Sequence, residues 1–349
     1  MEQTEQVDRQ LDVRPHARRS PLLAIAALVF CCVCWGYSFP VMQFGTRAFD
    51  RHVLPPAASD LQEFAARALY NALRFGLAAL LYGILTARKQ RNFSRHDLVG
   101  GTLVGALFAG GMLLQVTGLR WILPSVSSFF TALPVVFAPL AEALIFKRPI
   151  GRATWLAVAL AVVGIILLSW PKPDALARNT QTVAPPIPYL GEMLTIAGAA
   201  VFTAEILCVH HFGQSASPVR LTLVMLVSTG VLSFVAALLL GGGRTISASA
   251  ARGLLVDREF AWTMSTLIVI SSVLALYLMN LYQPRVSATV ASVVYCTEPL
   301  FGTLFSLAFA TETLTRLTAA GGAVVIVSVL VVATAGPDPK LASEGHLGQ

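Results

Sequence analysis

Charge is scarce in this chain: Asp, Glu, Lys and Arg make up 12% of its 349 residues, about half the roughly 25% of a soluble domain. A folded unit with a solvated, charged shell is excluded on that ground. Cysteine is scarce too. The five present, Cys31, Cys32, Cys34, Cys208 and Cys296, all lie in apolar runs, are odd in number and show no Cys/His spacing for a metal. They read as small polarizable packing residues. Also missing are a nucleotide-cradling glycine loop, an HExxH pair and a nucleophile elbow. The chain therefore offers no catalytic set, cofactor or metal site, and it cannot be a self-contained ATP-driven pump. Basic stripes interleaved with aromatics are absent as well, so the net charge of +7 does not point to nucleic acid.

What is abundant is apolar surface. Apolar residues account for 56% of the chain and mean hydropathy is +0.70. The apolar runs fall at about 22–44, 64–87, 98–119, 123–146 and 153–171, then at about 188–210, 219–240, 261–281, 286–310 and 315–335. Each approaches the ~20 residues that cross ~30 Å of hydrocarbon as a helix. Backbone groups in lipid must be satisfied within the segment, so helices are required. The fold expected is an all-α polytopic membrane protein of ten helices. The first run is too long for the apolar region of a signal peptide and reads as a retained span. The segment PKPDALARNTQTVAPPIP (171–188) is too polar for lipid and reads as a linker outside the membrane. Residues 1–21 and 336–349 read as tails. Lys and Arg favour the side carrying the N-terminus, most clearly in RKQRNFSR (88–95), which puts both termini in the cytoplasm.

The two sets of five runs superpose when the chain is shifted by 165 residues. Pro134 then falls on Pro299 and Ser127 on Ser292, and each copy has a charged turn 13 residues after the aligned proline, at Lys147 and Glu312. An odd number of spans per copy inverts the second copy, an architecture recurrent in secondary transporters, whose site lies between the repeats. The halves expected are 22–171 and 188–335.

WGYSFP (35–40), ALRFGLAALL (72–81), LPVVFAPLAEALIFKRPI (133–150) and CTEPLFGTLFSLAFATETLT (296–315) resemble the drug/metabolite transporter superfamily in its EamA branch. Glu312 matches the acidic position of the turn after the last proline-containing span, whereas Lys147 departs from it in the first copy. The resemblance implies a carrier of the inner membrane for a small polar metabolite, such as an amino acid or related compound, moved outward.

An ionisable group in hydrocarbon is costly and marks a functional candidate. Glu298 sits mid-span beside Pro299, which removes a backbone donor and frees carbonyls to face a cavity. It offers proton exchange, a seat for a cationic group, or a structural pair with Arg74. Arg74 is a fork for a carboxylate or phosphate, or a fixed ion-pair member. Glu205 is a further candidate for coupling. Glu142, Glu192 and His210 lie near span ends, where interfacial solvation is expected. Trp35, Tyr37 and Tyr295 are candidate lining residues, as are Phe39 and Tyr277. Gln115 and Asn71 read as hydrogen-bonding glue between helices. Pro40, Pro134 and Pro299 are expected to bend or break their spans. Competing readings are a membrane enzyme acting on a lipid-borne substrate, for which adjacent His210 and His211 are the only hint, and a channel or scaffold. The partners expected are a small-molecule substrate, protons as the candidate coupling ion, and the bilayer.

Overall fold

The computed structural model describes residues 21–55, 58–118, 121, 130–145, 147, 150–168, 170, 188–241, 247–309 and 315–334. The 172–187 linker, the tails except Pro21, Ser127 and Glu312 lie outside the described residues. All regular structure among the described residues is helical. The helices are α1 (Pro21–Val53), α2 (Asp60–Thr86), α3 (Arg95–Gly118), α4 (Pro134–Leu144), α5 (Arg152–Leu168), α6 (Leu190–Phe212), α7 (Pro218–Leu240) and α8 (Ala248–Val256). Then come α9 (Arg258–Arg285), α10 (Ala288–Tyr295), α11 (Glu298–Ala308) and α12 (Arg316–Thr334). Among the described residues eight helices are long and apolar enough to cross a membrane, with α10 and α11 counted as one; α4 and α5 are shorter apolar helices.

Helix ends follow local chemistry. Ser59 and Gln62 form a capping box at the start of α2, and Ser94 with Asp97 does the same at α3. The α1 helix runs nine residues past the expected apolar run. Its polar end is held: Asp50 accepts two hydrogen bonds from Arg67 at 2.7 and 2.6 Å, and His52 meets Asp257 at 3.0 Å. The short helix α8 lies between the apolar runs at 219–240 and 261–281.

Prolines act in two ways. Pro40 is buried inside the continuous helix α1. Pro134 and Pro299 do not bend helices but start them, each after a two-residue turn, at Ala132–Leu133 and Cys296–Thr297. Proline suits the first turn of a helix, where its missing N–H is no loss. The two breaks fall at corresponding places in the repeat.

The pairing of helices is also twofold in pattern. Helix α2 packs on α7, α5 on α12, and α4 on α10; α1 packs on α9 as α6 packs on α3. Glycines permit one of these contacts. A Cβ on Gly164 would lie 3.0 Å from the Gly321 carbonyl oxygen, and one on Gly321 would lie 2.7 Å from that of Gly164. Only glycine lets α5 and α12 approach so closely.

The polarity of the molecule is inverted relative to a soluble protein. Leu239 is 78% exposed and Leu80 61%, while Ser272, Asn280 and Gln283 are fully buried. An apolar exterior around a polar-containing interior is the arrangement that lipid as solvent favours.

Candidate functional site

Arg74 on α2 is 5% exposed and faces an irregular stretch of α9. Residues Leu267–Leu274 form a π-helical segment, whose widened ladder redirects backbone and side-chain groups. Two adjacent serines there meet the guanidinium. Nε donates to Ser272 Oγ at 2.9 Å and Nη2 to Ser271 Oγ at 2.7 Å. Among the described residues Nη1 has only the Met42 sulfur at 3.9 Å. The Phe75 ring lies 5.0 Å below the guanidinium carbon, a partial compensation for its charge. Among the described residues no carboxylate comes within ion-pair distance of Arg74, so the alternative of a structural Arg74–Glu298 pair does not form. A buried cation without a counter-anion is a costly arrangement, of order several kcal/mol.

From this point a file of polar and aromatic groups crosses the interior. Trp35 Nε1 donates to the Ser271 carbonyl at 3.2 Å, and its ring stands edge-on to Tyr295 at 5.6 Å. The Tyr295 hydroxyl donates to Gln283 Oε1 at 2.6 Å, and Gln283 Nε2 donates to the Ile206 carbonyl at 2.8 Å. Glu205 is the next residue on α6. It is 4% exposed, and its Oε1 has no hydrogen-bond partner among the described residues. Glu298, half-buried at the head of α11, follows Tyr295 by three residues. The structure thus brings Trp35, Arg74, Tyr295, Glu205 and Glu298 into one interior region. Tyr37 is turned elsewhere, packing edge-on to Phe305 at 5.4 Å and tilted on Phe309 at 6.2 Å.

The internal repeat does not duplicate this chemistry. Shifted by 165 residues, Arg74 corresponds to Leu239, Pro40 to Glu205 and Leu133 to Glu298. The ionisable groups sit in one copy or the other, never both, so they are not demanded by the fold that the copies share.

The EamA-like transporter family model matches residues 22–170 and again residues 189–334. The chain belongs to the EamA-like transporter family. Family membership and the apolar helices make it a multi-pass membrane protein of a transporter kind. An uncharacterized transporter of Archaeoglobus fulgidus is 25% identical over 311 residues, 89% of this chain and 86% of that protein. A solved structure described only as a crystal structure of a protein superposes with a TM-score of 0.65 at 14% identity. It covers 88% of this chain and 95% of its own, which speaks to the fold alone.

In this EamA-like chain one expected role is overturned. Glu142 is not solvated at an interface but 4% exposed. Its carboxylate accepts from the backbone N–H of Ala288 and of Thr289, each at 3.1 Å, and from the Thr289 hydroxyl. It caps α10 across the two repeats, where a carboxylate suits the orphan donors and the dipole of a helix start. Glu192 and His210 are half-buried at the ends of α6. Gln115 donates to Thr131 Oγ1 at 3.1 Å, joining α3 to the residues before α4. Of the cysteines, Cys31 and Cys32 donate weakly to the carbonyls of Ala275 and Val294, in keeping with packing duty.

Three site residues escaped sequence reasoning: Ser271, Ser272 and Gln283. The serine pair is a visible polar interruption of an apolar run, but hydropathy treats it as noise. Gln283 precedes Pro284 at a helix end and reads as a turn residue.

Proposed function

We propose that this protein is a secondary carrier for a small polar metabolite, such as an amino acid or related compound, working by alternating access and exporting its cargo. The observation that carries the reading is the interior polar file, to which α1 and α2 of one repeat and α6, α9, α10 and α11 of the other contribute. A lipid-facing scaffold has no need of buried polar groups drawn from both halves.

The carrier has ten crossings in two halves, 22–171 and 188–335, joined by an extracytoplasmic linker at 172–187. Five crossings per half invert the second half, and the symmetric helix pairing and matched proline breaks support that arrangement. Polar clamps join the halves near both ends. At one end Asp97 accepts from Arg220 Nε and the Ser217 N–H, both at 2.7 Å, and Glu142 caps α10. At the other, Arg51 and His52 meet Asp257, and Arg51 also meets Glu259. Alternating access opens one set while the other holds. Glu205 and Glu298 are the proton-exchanging groups. The protein resides in the inner membrane with both termini cytoplasmic.

Mass-spectrometric profiling of medium and cells, with and without the protein, is expected to show one class of metabolite depleted inside and enriched outside. Counterflow of that compound into proteoliposomes should be saturable and trans-stimulated. Glu205→Gln and Glu298→Gln should lower it at least tenfold or abolish its pH dependence. If both variants keep full flux and its pH dependence, the proton role is wrong.

A further inference from the structure

We infer that Arg74, Ser271 and Ser272 form the subsite that seats a carboxylate group of the transported molecule; this rests on the carrier reading above. Arginine carries five N–H donors in a planar fork. Two are engaged by the serines, through Nε and Nη2. Those on Nη1 meet nothing stronger than a thioether sulfur at 3.9 Å, and Nη2 keeps one donor more. The edge left open, Nη1 beside Nη2, is the one that grips a carboxylate with two parallel hydrogen bonds. The serines hold the guanidinium plane from its other edge.

A second group points the same way. The Tyr70 hydroxyl, one helical turn before Arg74 on α2, sits against Gly45 of α1. It is on a side chain 1% exposed and has no hydrogen-bond partner among the described residues. Buried polar groups are nearly always satisfied, so a guanidinium edge left open on a buried arginine, with an orphan hydroxyl one turn away, argues for a polar ligand. Met42, unbranched and flexible, is the cover that must swing aside to admit it.

Charge decides between oxyanions. The subsite supplies one positive charge and neutral hydroxyls, which one carboxylate balances. A phosphate monoester carries about −1.5 to −2 at neutral pH. The other cation on this face of α2, Arg67, is already paired with Asp50, and the interior contains two carboxylic groups, Glu205 and Glu298. A phosphate there would be left with uncompensated charge.

The test is thermal stabilisation of the full-length protein in detergent by leucine, benzoate and succinate, each set against its amide, and by inorganic phosphate. Expected is stabilisation by at least one carboxylate and none by its amide. Arg74→Gln should abolish the response. Arg74→Lys should weaken affinity tenfold or more, because a point charge replaces the fork. Should the Arg74 variants fail to fold, Ser271→Ala with Ser272→Ala keeps the charge, loosens its orientation and should weaken affinity threefold or more. The inference is overturned by equal stabilisation from an amide, by phosphate outperforming every carboxylate, by no carboxylate acting at all, or by unchanged affinity in the folded variants. Counterflow of a neutral or cationic cargo that survives Arg74→Gln would remove the carboxylate and leave the carrier. Carboxylate-specific stabilisation without any counterflow would keep the subsite and strike the carrier.

Discussion

Glu142 and Glu205 are the same residue at the same burial, each 4% exposed, yet their surroundings are opposite. Glu142 is surrounded by donors: two backbone N–H groups and a hydroxyl from the start of α10. Glu205 keeps an oxygen with no partner. Burial alone therefore does not tell the two carboxylates apart. Satisfaction does. A buried group whose hydrogen bonds are complete holds the fold together, and one left incomplete at a cost is the candidate for a functional role.

Removing the carboxylate of Glu142 should be the most damaging change. Glu142→Ala strands three buried donors, each worth about 1–3 kcal/mol, and a loss of about 3 kcal/mol or more is expected in thermal or denaturant melts. A melt like that of the parent would erase the distinction drawn here. Next is Arg220→Ala, which strips the fully buried Asp97 of its side-chain partner. A cost of about 1–2 kcal/mol is expected, because Asp97 keeps the N–H groups of Ser94 and Ser217. Glu205→Gln, although deeply buried, should shift stability by less than about 1 kcal/mol in either direction. A large loss on Glu205→Gln would mean that its partner had been overlooked and that both glutamates are structural.

The smallest effect concerns the clamp at the far end of α1. The Phe260 N–H, then His52 and Arg51, hold the Asp257 carboxyl well below the usual carboxylate range. A depressed folded-state value stabilises the fold above the unfolded value of about 3.9 and is lost as pH falls below it. The melting temperature of the parent should drop from pH 5 to pH 3 more steeply than that of Asp257→Asn, and high salt should narrow the gap because the pair is near solvent. Parallel curves would show that Asp257 contributes nothing titratable.

Much of this was legible in the sequence. Hydropathy is a local sum, so ten apolar runs, the boundaries of α3, α6 and α7, and the proline positions could be read within a few residues. Arg74, Glu205 and Glu298 stood out for the same reason, as charges in apolar runs. Where the reading failed, the cause was pairing at long range. Glu142 and Ala288 are 146 residues apart, and Arg74 and Ser272 are 198 apart. Nothing local distinguishes a glutamate that will find three donors from one that will find none.

By itself, then, the sequence determined that the chain is helical, lipid-facing and doubled, because spans, proline breaks and charge placement depend on residues near one another. Only the tertiary structure decided which buried charges are satisfied, that Tyr37 turns away from Trp35, and that a π-helical turn sets two serines against Arg74. Those outcomes depend on which helices meet and at what register, and that is fixed by packing among segments far apart in the chain.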